Sequence, residues 1–148
     1  MTDADLSRAD LTRQNLAYVN FEGANLEGAS LKEARLSSAN LRKARLCKAD
    51  LRKADLTEAN LDGADLADAQ VGGAELFRAT LRRAILRRAD FGAANFRDAD
   101  LAGADFQGAN MRTAILRETK LEGVDLTGVD LSTALLPRGY TPPGNAGN

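Results

Sequence analysis

The chain has 148 residues, 20 basic and 21 acidic side chains, no histidine and one cysteine. That length suits a single domain. The missing histidine removes the usual neutral-pH general base and the usual zinc ligand, and one cysteine cannot build a disulfide framework. No run of 18 apolar residues is present to cross a bilayer, and the acidic start Met1-Thr2-Asp3-Ala4-Asp5 does not read as a secretory signal. The expectation is a cytoplasmic protein without a membrane segment.

The repeats begin at once. From Leu6 to Leu136 every fifth residue is large and apolar, for 27 positions, mostly Leu with Phe21, Val71, Phe91, Phe96, Phe106 and Met111 among them. Ala stands two places before each, apart from Gln14, Val19, Thr119, Val124 and Val129, and the residue between is mostly Asp or Asn. A five-residue step turns roughly 140° around an α-helix, so these leucines make no helical stripe. In a strand they would alternate between faces. A coil that turns a corner once per repeat points all of them to one axis. Ala is small enough to lie inside beside them, and Asp or Asn bonds to nearby backbone in turns. The two following positions are variable and charged, or Gly, as an outer wall would be. Eight glycines, Gly23 to Gly128, occupy the second of these, where a turn with positive φ would use one.

Ala4-Asp5-Leu6-Ser7-Arg8, Ala24-Asn25-Leu26-Glu27-Gly28 and Ala64-Asp65-Leu66-Ala67-Asp68 resemble the A-(D/N)-L-x-x motif of the pentapeptide repeat family, and the likeness runs over residues 4–136. It implies an all-β fold: a right-handed, four-sided parallel β-helix with 20 residues per coil, here about six to seven coils and a rod roughly 30 Å long at strand spacing. Residues 20 apart should then stack. At that separation opposite charges form 12 pairs and like charges five, as in the columns Glu22-Arg42-Asp62-Arg82, Lys48-Asp68-Arg88 and Glu58-Arg78-Asp98.

The middle of the chain carries the charge. Residues 42–89 hold 11 basic and seven acidic groups, whereas 90–136 hold four and eight. Arg42, Lys43 and Lys48 recur 40 residues on as Arg82, Arg83 and Arg88, with Arg87 beside them. Two coils apart, the matched pairs should lie about 10 Å from each other. One expectation is a belt that binds phosphates or an acidic protein surface. The competing one is a set of neutralising columns, with Asp62 between Arg42 and Arg82 and Asp68 between Lys48 and Arg88. Lys43 and Arg83 stand outside it, because only Gly63 lies between them.

Chemistry is sparse elsewhere. No G-x-x-x-x-G-K-[ST] or G-x-G-x-x-G loop is present, and no cofactor or metal is expected. Asp55 and Glu75 would stack and could share a proton, but an uninterrupted convex wall has no cleft to use it. Cys47 reads as an outward, serine-like residue, and Phe77 and Ile85 as outward apolar ones.

Toward the C terminus the outward positions Ile115 and Leu135 become apolar and should stack. Leu136-Pro137-Arg138-Gly139-Tyr140 then breaks the pattern. The repeat domain is therefore 1–136 and the tail 137–148, with 144–148 expected to be disordered. The tail could cap the last coil with Tyr140 as lid. Alternatively Ile115, Leu135 and Leu136 could join two copies end to end, as the resemblance implies for some members, and that homodimer is the favoured expectation.

These observations favour a non-catalytic interaction or scaffold solenoid with a protein partner. One alternative is a DNA mimic acting on DNA gyrase or topoisomerase IV, for which the resemblance and the acidic stretch 90–136 speak and the basic middle does not. A second alternative is nucleic-acid binding through the Arg/Lys belt, where aromatic stacking partners are few.

Overall fold

The computed structural model describes residues 2–142, and the disordered end expected at 144–148 lies outside the described residues. The residue before each inward Leu pairs in parallel with the one 20 positions on, from Asp5 with Asn25 to Asp105 with Asp125 and Ile115 with Leu135. Each repeat also turns once. Four turns per 20-residue period make a parallel β-helix with four walls. Walls one to four carry Asp65, Gln70, Glu75 and Thr80 in one coil, respectively, and their neighbours 20 residues away. Each strand is reduced to a single bridged residue between two turns, which is shorter than the sequence suggested.

A full account of one repeat explains why each letter of the motif is there. The Asp65 N–H donates to Ala44 O in the coil before (3.0 Å), and the Leu66 and Asp68 N–H groups donate to Ile85 O and Arg87 O in the coil after (2.7 and 3.0 Å). The Ala69 N–H closes the turn on Leu66 O at 3.0 Å. That leaves the Ala67 N–H, and the Asp65 side chain accepts it through Oδ1 at 3.0 Å. All five donors of the repeat are thus satisfied, and Asp or Asn is favoured because its short side chain brings an acceptor to the fifth.

The second variable position has positive φ in all repeats from Asp3 to Gly128, in 18 non-glycine residues as well as eight glycines. At Lys43, for example, φ is 55°. This is the third residue of a turn that needs the left-handed region, so Gly is favoured there but not obligatory. Sequence reasoning assigned that conformation to the glycines alone.

Ala and Leu, Phe, Val or Met fill the interior, nearly all of them fully buried from Phe21 to Leu116. Phe91, Phe96 and Phe106 meet edge to face or tilted, with ring centroids 5.2–6.3 Å apart. Leu6, Leu11 and Leu16 are only partly buried, because among the described residues a coil covers them on one side only. At the other end the last coil loosens. Asp105 stays opposite Asp125, but on walls one and two the hydrogen bonds that join coils elsewhere are not made there, and full pairing resumes at Leu116 N–H to Leu135 O, 2.7 Å. Val124 and Val129 occupy the inner place that Ala holds elsewhere and are only partly buried.

Candidate interaction surface

Of the charged groups singled out in the sequence, Lys48, Arg87 and Arg88 follow wall one, while wall four and its corner hold Arg42, Lys43, Arg82 and Arg83. An open trough of about 440 Å³ runs along it, lined by Arg42, Lys43, Asp62, Gly63, Arg82, Arg83 and Ala102. Gly63 makes the floor. Without a side chain there, a notch is left between the two basic levels, and the Lys43 stem leans into it, its Cγ 3.5 Å from where a Cβ on Gly63 would stand.

The expected neutralising columns form only in part. Asp62 pairs with neither Arg42 nor Arg82. Its Oδ1 accepts the backbone N–H of Arg82 at 2.9 Å, while the Arg82 Nε donates to Asp100 Oδ2 at 2.7 Å. Burial works against ionisation of Asp100, yet the Arg82 guanidinium and the Ala102 N–H outweigh it and hold the carboxyl below its usual range. Around the corner Asp68 accepts from Nε and Nη2 of Arg88, at 2.9 and 3.0 Å, which leaves Lys48 out. Arg87 pairs with Asp105. Arg78 does reach Glu58, at 3.8 Å.

The reason is the strand pleat. The residues on either side of an inward Leu both face out, so a long arginine reaches the diagonal neighbour two places off the direct one. Pairs 18 apart, such as Arg45–Glu27, Arg82–Asp100, Arg87–Asp105 and Arg112–Asp130, therefore outnumber pairs 20 apart. Among the described residues Arg42, Lys43, Lys48 and Arg83 have no carboxylate within 4.0 Å. Three of these line the trough.

Other side chains fall as follows. Asp55 and Glu75 share a rung, but each carboxylate is taken by another donor, the Thr57 N–H and the Asn95 Nδ2. Burial, with the Asp65 carboxylate nearby, pushes the Cys47 thiol up to about 11. Phe77 is half-buried beneath the Arg78 guanidinium, 5.0 Å from the ring centroid. Ile85 is exposed, and so is Tyr18, which the sequence reading passed over although it stands at an outward turn position. Ile115 and Leu135 do stack, with Leu135 exposed. They project sideways from wall three, however, whereas Leu136 and Tyr140 pack on the core. Among the described residues no group of three or more acidic or thiol side chains is placed to hold a metal ion, and no helix is long and apolar enough to cross a membrane.

A rod of stacked coils with its chemistry confined to exposed walls defines a solenoid repeat protein. The family model of pentapeptide repeats matches eight copies over residues 1–33, 34–76, 74–112 and 94–132, and the chain belongs to the pentapeptide repeat family. Among solved structures it is similar to HetL, a pentapeptide repeat protein involved in heterocyst differentiation regulation from the cyanobacterium Nostoc sp. strain PCC 7120, at 31% identity over 93% of this chain and 76% of that one, with a TM-score of 0.47. It is also similar to Rfr23 from the cyanobacterium Cyanothece 51142 (24% identity, 91% and 89% covered, TM-score 0.42). A further likeness is to QnrB1, a plasmid-mediated fluoroquinolone resistance protein (19%, 92% and 80%, 0.41). No curated protein sequence matches it significantly.

Proposed function

We propose that this solenoid of six to seven coils is a non-catalytic scaffold that recognises a protein partner through wall four. The observation that carries the reading is the trough itself. Arg42, Lys43 and Arg83 surround a glycine floor without a carboxylate partner, and three cations held together in this way are stabilised by an acidic surface laid over them. Its openness suits a broad contact better than a small substrate. The raised thiol of Cys47 and the lack of histidine support a role without catalysis. A single free cysteine also fits the cytoplasm as its working place.

Imitation of DNA toward gyrase is the weaker reading, because Asp100, Asp105 and Asp130 in the acidic stretch each face an arginine. Direct nucleic-acid binding is weaker too, since Asp62 interrupts the belt at its centre.

The deciding experiment compares wild type with Lys43→Glu/Arg83→Glu in quantitative affinity purification, alongside gyrase supercoiling and salt-dependent DNA binding. A protein retained by wild type and lost by the variant supports the scaffold. Protection of gyrase from a quinolone, or DNA binding with a steep salt dependence, would replace it with one of the other two.

A further inference from the structure

The four levels of wall four from Glu22 to Arg83 carry charge in an order, acidic, basic, acidic, basic, that is its own complement when reversed. Read by coil from the N-terminal end it holds Asp3, Glu22, then Arg42 with Lys43, then Asp62, then Arg82 with Arg83, then Asp100, then Lys120 with Glu122. Five carboxylates thus share the wall with five cations, and Lys120 and Glu122 cancel within the last level. Asp100 is only 8% exposed and bonded to Arg82, so the charges that act outward are two acidic levels, a doubly basic one, an acidic one and a basic one.

We propose that wall four is covered by a second copy of this chain lying antiparallel, with the two-fold axis crossing the wall between the levels of Arg42 and Asp62. The proposal rests on the reading of this wall as the recognition surface and names the partner. Under that operation Arg42 of each protomer faces Asp62 of the other, and Glu22 faces the level of Arg82 and Arg83. Between the charged columns Asn40 faces Asn60 and Asn20 faces Thr80, which lets amides and a hydroxyl bond across. The turn column fits as well. Lys43 and Arg83 stand opposite Gly63 and Gly23, which have no side chains of their own, with the same protomer's Lys43 stem already beside Gly63. The notch at Gly23 already holds the Asp3 carboxylate, an acceptor for an incoming Arg83. Such an interface is isologous, as a two-fold contact must be.

Other arrangements fit worse. Parallel rods would set like charge on like. Moving the axis one coil toward the C terminus puts Arg42 and Lys43 against Asp100, which Arg82 already uses. A polyanion would meet Asp62 and Glu22 along with the cations, and over these ten groups the wall has no net charge to attract one. The overlap is six levels, about 25 Å long at strand spacing. That places it among small interfaces, so the dimer is expected to be transient and sensitive to salt.

Sedimentation equilibrium over a concentration series, at low and high salt, tests this. Wild type is expected to dimerise and to weaken about tenfold or more as salt is raised. Arg42→Glu and Asp62→Arg should each remain monomeric, the two mixed should form a heterodimer, and the double variant Arg42→Glu/Asp62→Arg should recover the homodimer. Circular dichroism checks that each folds. Should a reversal disturb the coil, Asp62→Asn keeps an acceptor for the Arg82 N–H while removing the charge, and it should also lose the dimer. A wild type that stays monomeric throughout overturns the proposal while leaving the wall free for another acidic protein. A dimer untouched by these variants but lost in Leu135→Asp overturns it in favour of contact at the C-terminal coil.

Discussion

The Cγ of Lys43 lies 3.5 Å from the point where a Cβ on Gly63 would stand, one coil further on. The relation is general along this rod. Side chains at the left-handed turn position lean toward the following coil, and each basic one has either Gly or an acid 20 residues later: Arg8 with Gly28, Arg13 with Glu33, Lys43 with Gly63, Lys48 with Asp68, Lys53 with Gly73, Arg78 with Asp98, Arg83 with Gly103 and Arg88 with Gly108. Below five of these stems the place is empty, whereas of the three acids only Glu33 meets its stem's tip, that of Arg13, at 3.1 Å.

Substitution of these glycines should therefore be graded. Gly63→Ala meets Lys43 at an ordinary contact distance and carries only the cost of a left-handed alanine, about 1–2 kcal/mol. Gly108→Ala should cost more, because its Cβ would stand 3.2 Å from the Arg88 Cγ, and Arg88 is tied to Asp68 by two bonds and cannot give way freely. The reverse change, Ala93→Gly at φ 57°, releases the left-handed strain and loses about 0.5–1 kcal/mol to chain entropy, so a small gain is expected. Urea titration of the three variants checks the order. Equal losses at residues 63 and 108 would contradict the stem-and-notch account.

The core gives a blunter expectation. Leu66 is 1% exposed among stacked leucines and alanines. An aspartate there is an unpaired buried charge in a solenoid whose coils contact only their neighbours, so Leu66→Asp should cost about 3–5 kcal/mol or abolish folding. Leu6→Asp, at a half-buried end position, should be milder. Thermal melts followed by circular dichroism distinguish the two. A Leu66→Asp protein that melts like wild type would show the residue to be misplaced inside.

The fifth N–H of each repeat offers a finer test. Asn60 Oδ1 accepts the Asp62 N–H at 3.0 Å and the Thr80 hydroxyl at 3.2 Å, and Asn60→Ala should lose about 1–2 kcal/mol. Ile85 stands at the corresponding place on wall one and has no acceptor to offer the Arg87 N–H. Ile85→Asn should supply one and stabilise the rod by about 0.5–1 kcal/mol. Nothing in the fold explains why an isoleucine is there. If the asparagine destabilised instead, the isoleucine side chain would have to contribute to packing that its 40% exposure does not suggest.

The inward spine, the 20-residue coil and the parallel stacking were legible in the sequence because each follows from one period: Leu at every fifth place can share an axis only in a square coil. The trough was legible too, since Lys43 and Arg83 are separated by a glycine in their column. Ion pairing was not. Counting charges 20 apart captures residues directly above one another, as at the left-handed positions Arg13, Arg78 and Arg88, but one place earlier in the turn the pleat lets Arg82 reach Asp100 and Arg87 reach Asp105 diagonally. The end of the rod was read in part. The stacking of Ile115 on Leu135 follows from register, whereas the path of the tail that sets Tyr140 against the core depends on Pro137 and Gly139 beyond the repeats, where no period applies.

Acid should unfold the rod from its turns. Asp5, Asp10, Asp125 and Asp130 accept N–H and hydroxyl bonds inside their own turns, and Asp68 accepts Arg88, and all five carboxyls are held below the usual range. A lowered folded-state value means that these groups stabilise the native state above the unfolded value, about 3.9, and that the contribution fades as pH falls through the folded values. The melting temperature should therefore be nearly level from neutral pH down to about 5 and drop below about 4. Asn20, Asn40 and Asn60 provide the same acceptor on wall four without titrating, so exchange of backbone amides should accelerate on the Asp-rich first and second walls before it does on the fourth. The alkaline side has the opposite sign. The Cys47 thiol titrates near 11 in the fold, so its contribution is complete below the ordinary thiol value and is lost as pH rises toward 11, and Cys47→Ser should flatten that limb. Melting curves from pH 3 to 11 for both proteins, with amide exchange at the acid end, are the measurement. Uniform exchange on all four walls, or an acid limb that does not fall, would show that the turn carboxylates do not hold the coils.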